Sequence, residues 1–319
     1  MKIFSGEKSR YFAKQICEHL NVSLGNSKKQ VFSDGEFVTH FNETLRGERV
    51  YLVQSTFQPL DNLMELLMMS DAAKRAGAKE IVAVIPYLGY SRSDKKDFPR
   101  VPIVSSMVAK MIEASGINHV VTLELHSSQI EGFYNIPVSH IYSHTSLIPF
   151  LRKSFIRDEV VFISPDMGSS KRTNKYSQFL KTDMAICYKS RERANEIKEI
   201  KLIGSVKGKH AIIIDDLIDT GGTICKCANM LMENGAKSVQ AVITHPVLSG
   251  KAYENLGKSK LDKLIVTNSI PIKNRESIGD FSEDELNGYE KITIINVAPL
   301  FSSIIKNIEN NSSISANFI

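Results

Sequence analysis

Short β-branched runs alternate with helical patterns along this chain, and that alternation predicts an α/β fold with largely parallel sheets. The alternation occurs twice. The segment from Glu80 to Asp94 repeats the strand-then-polar-loop layout of Ile214 to Thr223, so two α/β domains of similar plan are expected, by duplication in the simplest account. A length of 319 residues is enough to give each its own core. The boundary is placed near residue 145, after Ile136-Pro137-Val138 and Tyr142-Ser143-His144.

In chain order, the first strand is read at 50–54, followed by a helical pattern over 60–77 and a second strand, Ile-Val-Ala-Val-Ile at its centre, over 80–86. A helix over 101–115 leads to a strand at 119–123. The second domain reads as strands at 160–164, 185–188 and 210–214, a helix over 224–235, and strands at 238–244, 263–267 and 292–296. A last helix spans 299–309, and the polar Asn310-Asn311-Ser312-Ser313 reads as a frayed end.

Composition narrows the class. A hydrophobic content of 42% and a charged content of 24% are those of a soluble globular protein. No apolar run approaches the roughly 20 residues of a membrane helix. Met1 to Gly6 lacks the look of a signal or transit peptide, so the cytoplasm is expected and a membrane partner is not. The net charge of +5 is spread without a basic stripe or interleaved aromatics, which argues against a nucleic-acid partner. The four cysteines lack the spacing of a disulfide framework; Cys225 and Cys227 are expected on different faces of one helix, where a metal site is not expected.

The most informative stretch runs from Ala211 to Thr223: an apolar strand, then Asp215-Asp216-Leu217-Ile218-Asp219, then Thr220-Gly221-Gly222-Thr223 and a helix. Glycines let the backbone bend and approach a ligand, and loop amides at a helix start cradle a phosphate. Asp215 and Asp216 would repel that phosphate and are expected to face sugar hydroxyls or a divalent cation. Such a site suits a ribose 5-phosphate. The plain alternative is a strand-to-helix turn capped by Asp and Thr.

Other strand ends carry charge too. In Ser164-Pro165-Asp166-Met167-Gly168-Ser169-Ser170-Lys171-Arg172, Asp166 can ligate Mg²⁺ and the small residues suit a diphosphate; a simple helix start is the alternative. Glu124 and His126 alternate at the end of the strand begun at His119, which places both on one side of it. Tyr90 to Asp97 and Lys189 to Asn195 are either solvated faces or mobile Lys/Arg loops closing over phosphate. Gly257-Lys258-Ser259 imitates the end of a Walker A motif, but Ala252 stands where its first glycine belongs.

The strand and loop of residues 211–223 resemble the phosphoribosyl-diphosphate (PRPP) signature shared by type I phosphoribosyltransferases and PRPP synthetases. The chain as a whole resembles the ribose-phosphate diphosphokinases, and in particular their phosphate-activated class. The parts occur in that family's order: Lys2-Ile3-Phe4-Ser5-Gly6, Phe32-Ser33-Asp34-Gly35-Glu36, Tyr90 to Asp97, Glu124 to Phe133, the Asp166 loop, the Lys189/Arg191 segment and the Asp215–Thr223 run. The resemblance implies two type I phosphoribosyltransferase-like domains, 1–145 and 146–299, with 300–319 completing the first. It implies transfer of the diphosphate of MgATP to the 1-hydroxyl of ribose 5-phosphate, giving PRPP and AMP. Lys189 and Arg191 would act from a flexible loop. Phe32, Asp34, Glu36, Arg92, Ser93 and His126 would bind ATP; His126 and Asp166 would bind Mg²⁺. Asp166, Gly168, Ser169, Lys171 and Arg172 would form the diphosphate loop. Asp215 and Asp216 would hold the ribose hydroxyls and a second Mg²⁺, with Asp219, Thr220, Gly221, Gly222 and Thr223 around the 5-phosphate.

By the same resemblance, Phe32 to Glu36 serves the ATP site of a neighbouring subunit in a homo-oligomer of dimers building a hexamer. Thr44, Arg46, Ser313 and Ser315 match a regulatory site for inorganic phosphate as activator. Three departures from the family's pattern stand out: Glu124 for Asp, Ser169 for Gly, and Ser93 for Gln. A phosphoribosyltransferase and a catalytically weak regulatory homologue are the competing readings.

Overall fold

Strands buried on both faces read as unbroken apolar runs, and such runs pair in parallel with helices over each face. The computed structural model describes residues 1–154, 159–193, 196–273 and 282–314, the side chains of 189–200 apart. Two compact units result: Met1–Ser143 with Ser269–Pro271 and Val297–Ile319, and His144–Asn268 with Ile272–Asn296.

In the first unit the elements are β1 (Lys2–Ser5), α1 (Arg10–Leu20), β2 (Ser27–Val31), β3 (Phe37–Phe41), β4 (Arg49–Val53), α2 (Asp61–Arg75), β5 (Glu80–Ile85), α3 (Val104–Ala114), β6 (His119–Leu123) and β7 (Val138–Ile141). Strands β1-β4-β5-β6-β7 form a parallel sheet in that order, with Val50 opposite Ile81 and Ala83 opposite Val120. β2 and β3 form a separate antiparallel hairpin. Alternation along each strand divides the core. Leu52, Ala83 and Ile85 pack with Leu63, Leu66 and Val108 on one face, while Tyr51, Val82 and Val84 pack with Phe12 and Ile16 on the other.

The second unit contains α4 (His144–Ser154), β8 (Val160–Ser164), α5 (Ser170–Leu180), β9 (Asp183–Arg193), β10 (Glu196–Ile203), β11 (His210–Ile218), α6 (Gly222–Glu233), β12 (Ser238–Pro246), α7 (Ala252–Lys258), β13 (Lys263–Thr267), α8 (Glu283–Glu290) and β14 (Ile292–Ile295). Its sheet order is β10-β9-β8-β11-β12-β13-β14, parallel except for the β9–β10 edge hairpin. The chain then returns to the first unit as α9 (Ala298–Glu309), whose Phe301 ring meets Phe12 of α1 edge-on at 5.3 Å.

Several elements differ from the sequence expectation. The strand expected at 185–188 runs from Asp183 to Arg193 because β10 pairs with it. The strand expected to end at Ile214 continues to Ile218, held by β12. The helix expected from 101 begins at Val104. Cys225 and Cys227 keep the different faces expected of them, Cys227 meeting Cys187 of β9, and both are buried because α6 is covered by the sheet and by α7. No helix among the described residues is long and apolar enough to cross a membrane.

Candidate active site

Ligands in open α/β sheets bind beyond the carboxyl ends of the strands. In the second unit, β8 and β11 are parallel neighbours, with His210 opposite Val160 and Ile213 opposite Ile163. The loop after β8 and the outer part of β11 therefore meet. Ser169 joins them: its N–H donates to Asp166 Oδ1 (3.0 Å) and its Oγ–H donates to Asp215 Oδ1 (2.6 Å). Arg172, in the first turn of α5, places Nη1 3.3 Å from Asp216 Oδ1 and 3.6 Å from Asp215 Oδ1. Its charge is thus set against the acidic pair at the end of the Asp166 loop. Lys171 next to it is exposed.

The acidic pair belongs to a strand. Asp215 sits opposite Ile243 in the ladder, and Leu217 and Ile218 opposite His245 and Pro246. That pairing fixes the backbone of both carboxylates before any ligand arrives. Burial, and then the Asp216 charge beside it, push the Asp215 carboxyl up to about 7, against the Ser169 hydrogen bond and the Arg172 charge.

Past Ile218, Gly221 takes a left-handed φ of 77° and opens α6 with no side-chain cap on the helix start. Uncapped amides at a helix N-terminus form a ready anion site. Two residues missed in the sequence shape this loop. Asn255 Nδ2 donates to the Thr220 carbonyl (2.8 Å), and the Ser249 hydroxyl bonds to Asp219 Oδ1. Ser249 comes from the β12–α7 connection and Asn255 from α7 itself, and neither position carries a motif of its own.

Ser169, which stands where the family has glycine, has φ −82° and ψ −2°, an ordinary right-handed geometry. The departure from glycine therefore adds a hydroxyl without bending the backbone.

In the first unit, β5 and β6 are parallel neighbours, so the Arg92–Ser93 loop and the Glu124–His126 loop leave adjacent strand ends. Arg92 and His126 are exposed; the Ser93 N–H donates to the Tyr90 carbonyl (3.2 Å). Period-two alternation does not carry from Glu124 to His126, because β6 ends at Leu123 and Glu124 turns with φ 43°. The Glu124 carboxylate accepts from Ser143 N–H (2.9 Å) and Ser143 Oγ–H (2.7 Å). Phe32, Asp34 and Glu36 occupy the β2–β3 turn, where Glu36 N–H donates to Asp34 Oδ1 (3.0 Å) and Phe32 is 47% exposed.

Thr44, Arg46 and Ser313 are exposed on the first unit, and Ser315 lies outside the described residues. The side chains of Lys189 and Arg191 also lie outside them; their backbone pairs with Ile200 and Ile197 along β9–β10.

Among the described residues no three His, Cys, Asp or Glu side chains gather as a metal cage. The donors present are Asp166 and the adjacent Asp215–Asp216 pair, one or two carboxylates beside loops open to phosphate, a set that fits Mg²⁺. That ion keeps several waters and takes one or two carboxylates together with substrate phosphate oxygens.

Residues 1–116 match the family described as the N-terminal domain of ribose phosphate pyrophosphokinase, and residues 166–319 match the phosphoribosyl synthetase-associated domain. The chain is 44% identical to the ribose-phosphate pyrophosphokinase of Porphyromonas gingivalis, over 98% of this chain and 96% of that one. It is 42% identical to ribose-phosphate pyrophosphokinase A of Dictyostelium discoideum, over 100% of this chain and 98% of that one. The solved phosphoribosylpyrophosphate synthetase of Mycobacterium smegmatis superposes with a TM-score of 0.89 at 34% identity, covering 98% of this chain and 99% of that chain. Matches in both halves and full-length identity at this level leave one assignment: the chain belongs to the ribose-phosphate pyrophosphokinase family.

Proposed function

We propose that this enzyme transfers the intact diphosphate of MgATP to the 1-hydroxyl of ribose 5-phosphate, giving PRPP and AMP in the cytoplasm. The observation that carries the reading is Ser169, which ties the Asp166 loop to the Asp215–Asp216 pair beside an uncapped helix start. The 5-phosphate docks on the amides of Thr220 to Thr223, and the ribose hydroxyls donate to Asp215 and Asp216. The diphosphate lies along Asp166 to Ser169. Arg172 offsets part of the repulsion between the two carboxylates at the sugar. The 1-hydroxyl attacks the β-phosphorus and negative charge gathers on the diphosphate oxygens; Lys189 and Arg191 are assigned to neutralise it. Asp166 would be one ligand for Mg²⁺ and His126 another, and the ion would neutralise phosphate charge. Arg92 and Ser93, with Phe32, Asp34 and Glu36 from a neighbouring subunit of the hexamer, bind ATP. Thr44, Arg46, Ser313 and Ser315 receive inorganic phosphate as activator.

Incubating the purified chain with MgATP and ribose 5-phosphate should release AMP and PRPP in equal amounts. No AMP, with or without added inorganic phosphate, sinks the proposal.

A further inference from the structure

The turn that presents His126 is held from beneath by a histidine that no part of the proposed chemistry uses. His140 is the third residue of β7, and its ring is 5% exposed. Its Nε2 accepts the N–H of Leu125 at 2.9 Å, and its Nδ1 lies 2.7 Å from Glu131 Oε1. These partners assign the tautomer. A ring nitrogen that accepts from an amide carries no proton, so the proton sits on Nδ1 and is donated to the Glu131 carboxylate.

The amide that His140 receives precedes His126 directly. Leu125 is buried, whereas His126 is exposed. On the other side of that amide, Glu124 N–H donates to the Ile141 carbonyl (2.7 Å), and the Glu124 carboxylate takes two bonds from Ser143. The end of β7 therefore grips the turn on both flanks. Glu124 has a φ of 43°, a conformation that a residue with a side chain keeps only when its surroundings enforce it.

We propose that His140, oriented by Glu131, is a positioning residue for His126. It fixes the backbone between Glu124 and His126 in the conformation from which His126 meets the ATP phosphates. The inference rests on the ATP-binding role assigned to His126. A merely structural histidine would stabilise the fold and leave the relative affinity for the two substrates untouched. A positioning one acts on ATP alone, because ribose 5-phosphate is bound by loops of the second unit.

The test compares His140→Leu with His140→Gln. Glutamine keeps one acceptor for Leu125 and one donor for Glu131; leucine keeps neither. In His140→Leu, hydrogen exchange at Leu125 should quicken and KM for MgATP should rise about tenfold, the size of one buried hydrogen bond lost. KM for ribose 5-phosphate should stay within about twofold of wild type, a change worth well under 1 kcal/mol. His140→Gln should recover most of both losses. Unchanged exchange at Leu125, or equal rises in both KM values, overturns the proposal. If His140→Leu does not fold, Glu131→Ala at the half-open partner carries the same comparison. It should quicken Leu125 exchange and raise KM for MgATP selectively, and wild-type values for either overturn the proposal. A wild-type chain that releases no AMP refutes the ATP-binding role; exchange at Leu125 still decides whether the clamp exists.

Discussion

Asp215, the residue proposed to hold the ribose, has the most perturbed carboxyl beside the Asp166 loop. Its carboxyl is pushed up to about 7 from an ordinary 3.8 by burial and by Asp216. A raised carboxyl keeps a proton in the folded chain that the unfolded chain has already lost. The folded state therefore binds more protons between about pH 4 and pH 7, and stability falls as pH rises through that window. Asp215→Asn carries no such penalty. Without metal or substrate, its melting temperature should exceed that of wild type at pH 8 and match it near pH 4, by calorimetry. A gain of equal size at both pH values contradicts the assignment. The same variant should bind ribose 5-phosphate weakly, because one acceptor for the sugar hydroxyls is gone. Lys189→Ala should slow turnover by about 100-fold or more, in line with loss of a group that stabilises transition-state charge, with its far-ultraviolet circular dichroism unchanged. Turnover at the wild-type rate would remove Lys189 from the mechanism.

At the scale of elements, the proposed phosphate loop depends on a neighbour. Asn255 on α7 holds the Thr220 carbonyl, so Asn255→Ala should raise KM for ribose 5-phosphate several-fold and leave KM for MgATP unchanged; steady-state kinetics with each substrate varied decide it. The sequence displayed the loop and not its support. Gly221, Gly222 and the aspartates form a local pattern, whereas Asn255 reaches the loop only through the β12–α7 connection. The same limit explains the strands that were not foreseen. β2, Ser-Lys-Lys-Gln-Val, has no apolar alternation and exists by pairing with β3. β11 looked finished at Ile214 because aspartates are poor strand residues, yet β12 carries the ladder on to Ile218. Buried parallel strands such as β5 and β8 were legible because their apolar runs are unbroken and bounded by polar loops. Ser169 was seen as a departure from the family, but its bond to Asp215 spans 46 residues and needed the fold.

At the scale of the whole molecule, the exposed Phe32 in the β2–β3 turn bears on assembly. If that turn serves a neighbouring subunit, Phe32→Ala and Asp216→Ala should each be nearly inactive alone. Dissociated and reassembled together at equal amounts, they should recover about a quarter of wild-type activity, since random pairing in a closed oligomer leaves that share of sites intact. No recovery would confine the site to one subunit. Within the first unit, α9 packs on α1 through Phe301 and Phe12, both fully buried. Phe301→Ala should cost about 3–5 kcal/mol in denaturant unfolding of that unit.

This return of the chain has a consequence for biosynthesis. Phe12 and Ile16 leave the ribosome early, but the helix that covers them is translated only after the whole second unit. Until then the first unit presents a bare apolar face, while residues 144–268 already have most of their own sheet. The second unit is thus free to fold ahead of the first, against the usual order of synthesis. A chaperone that binds nascent chains should therefore engage α1 for as long as the segment bearing α9 remains unmade.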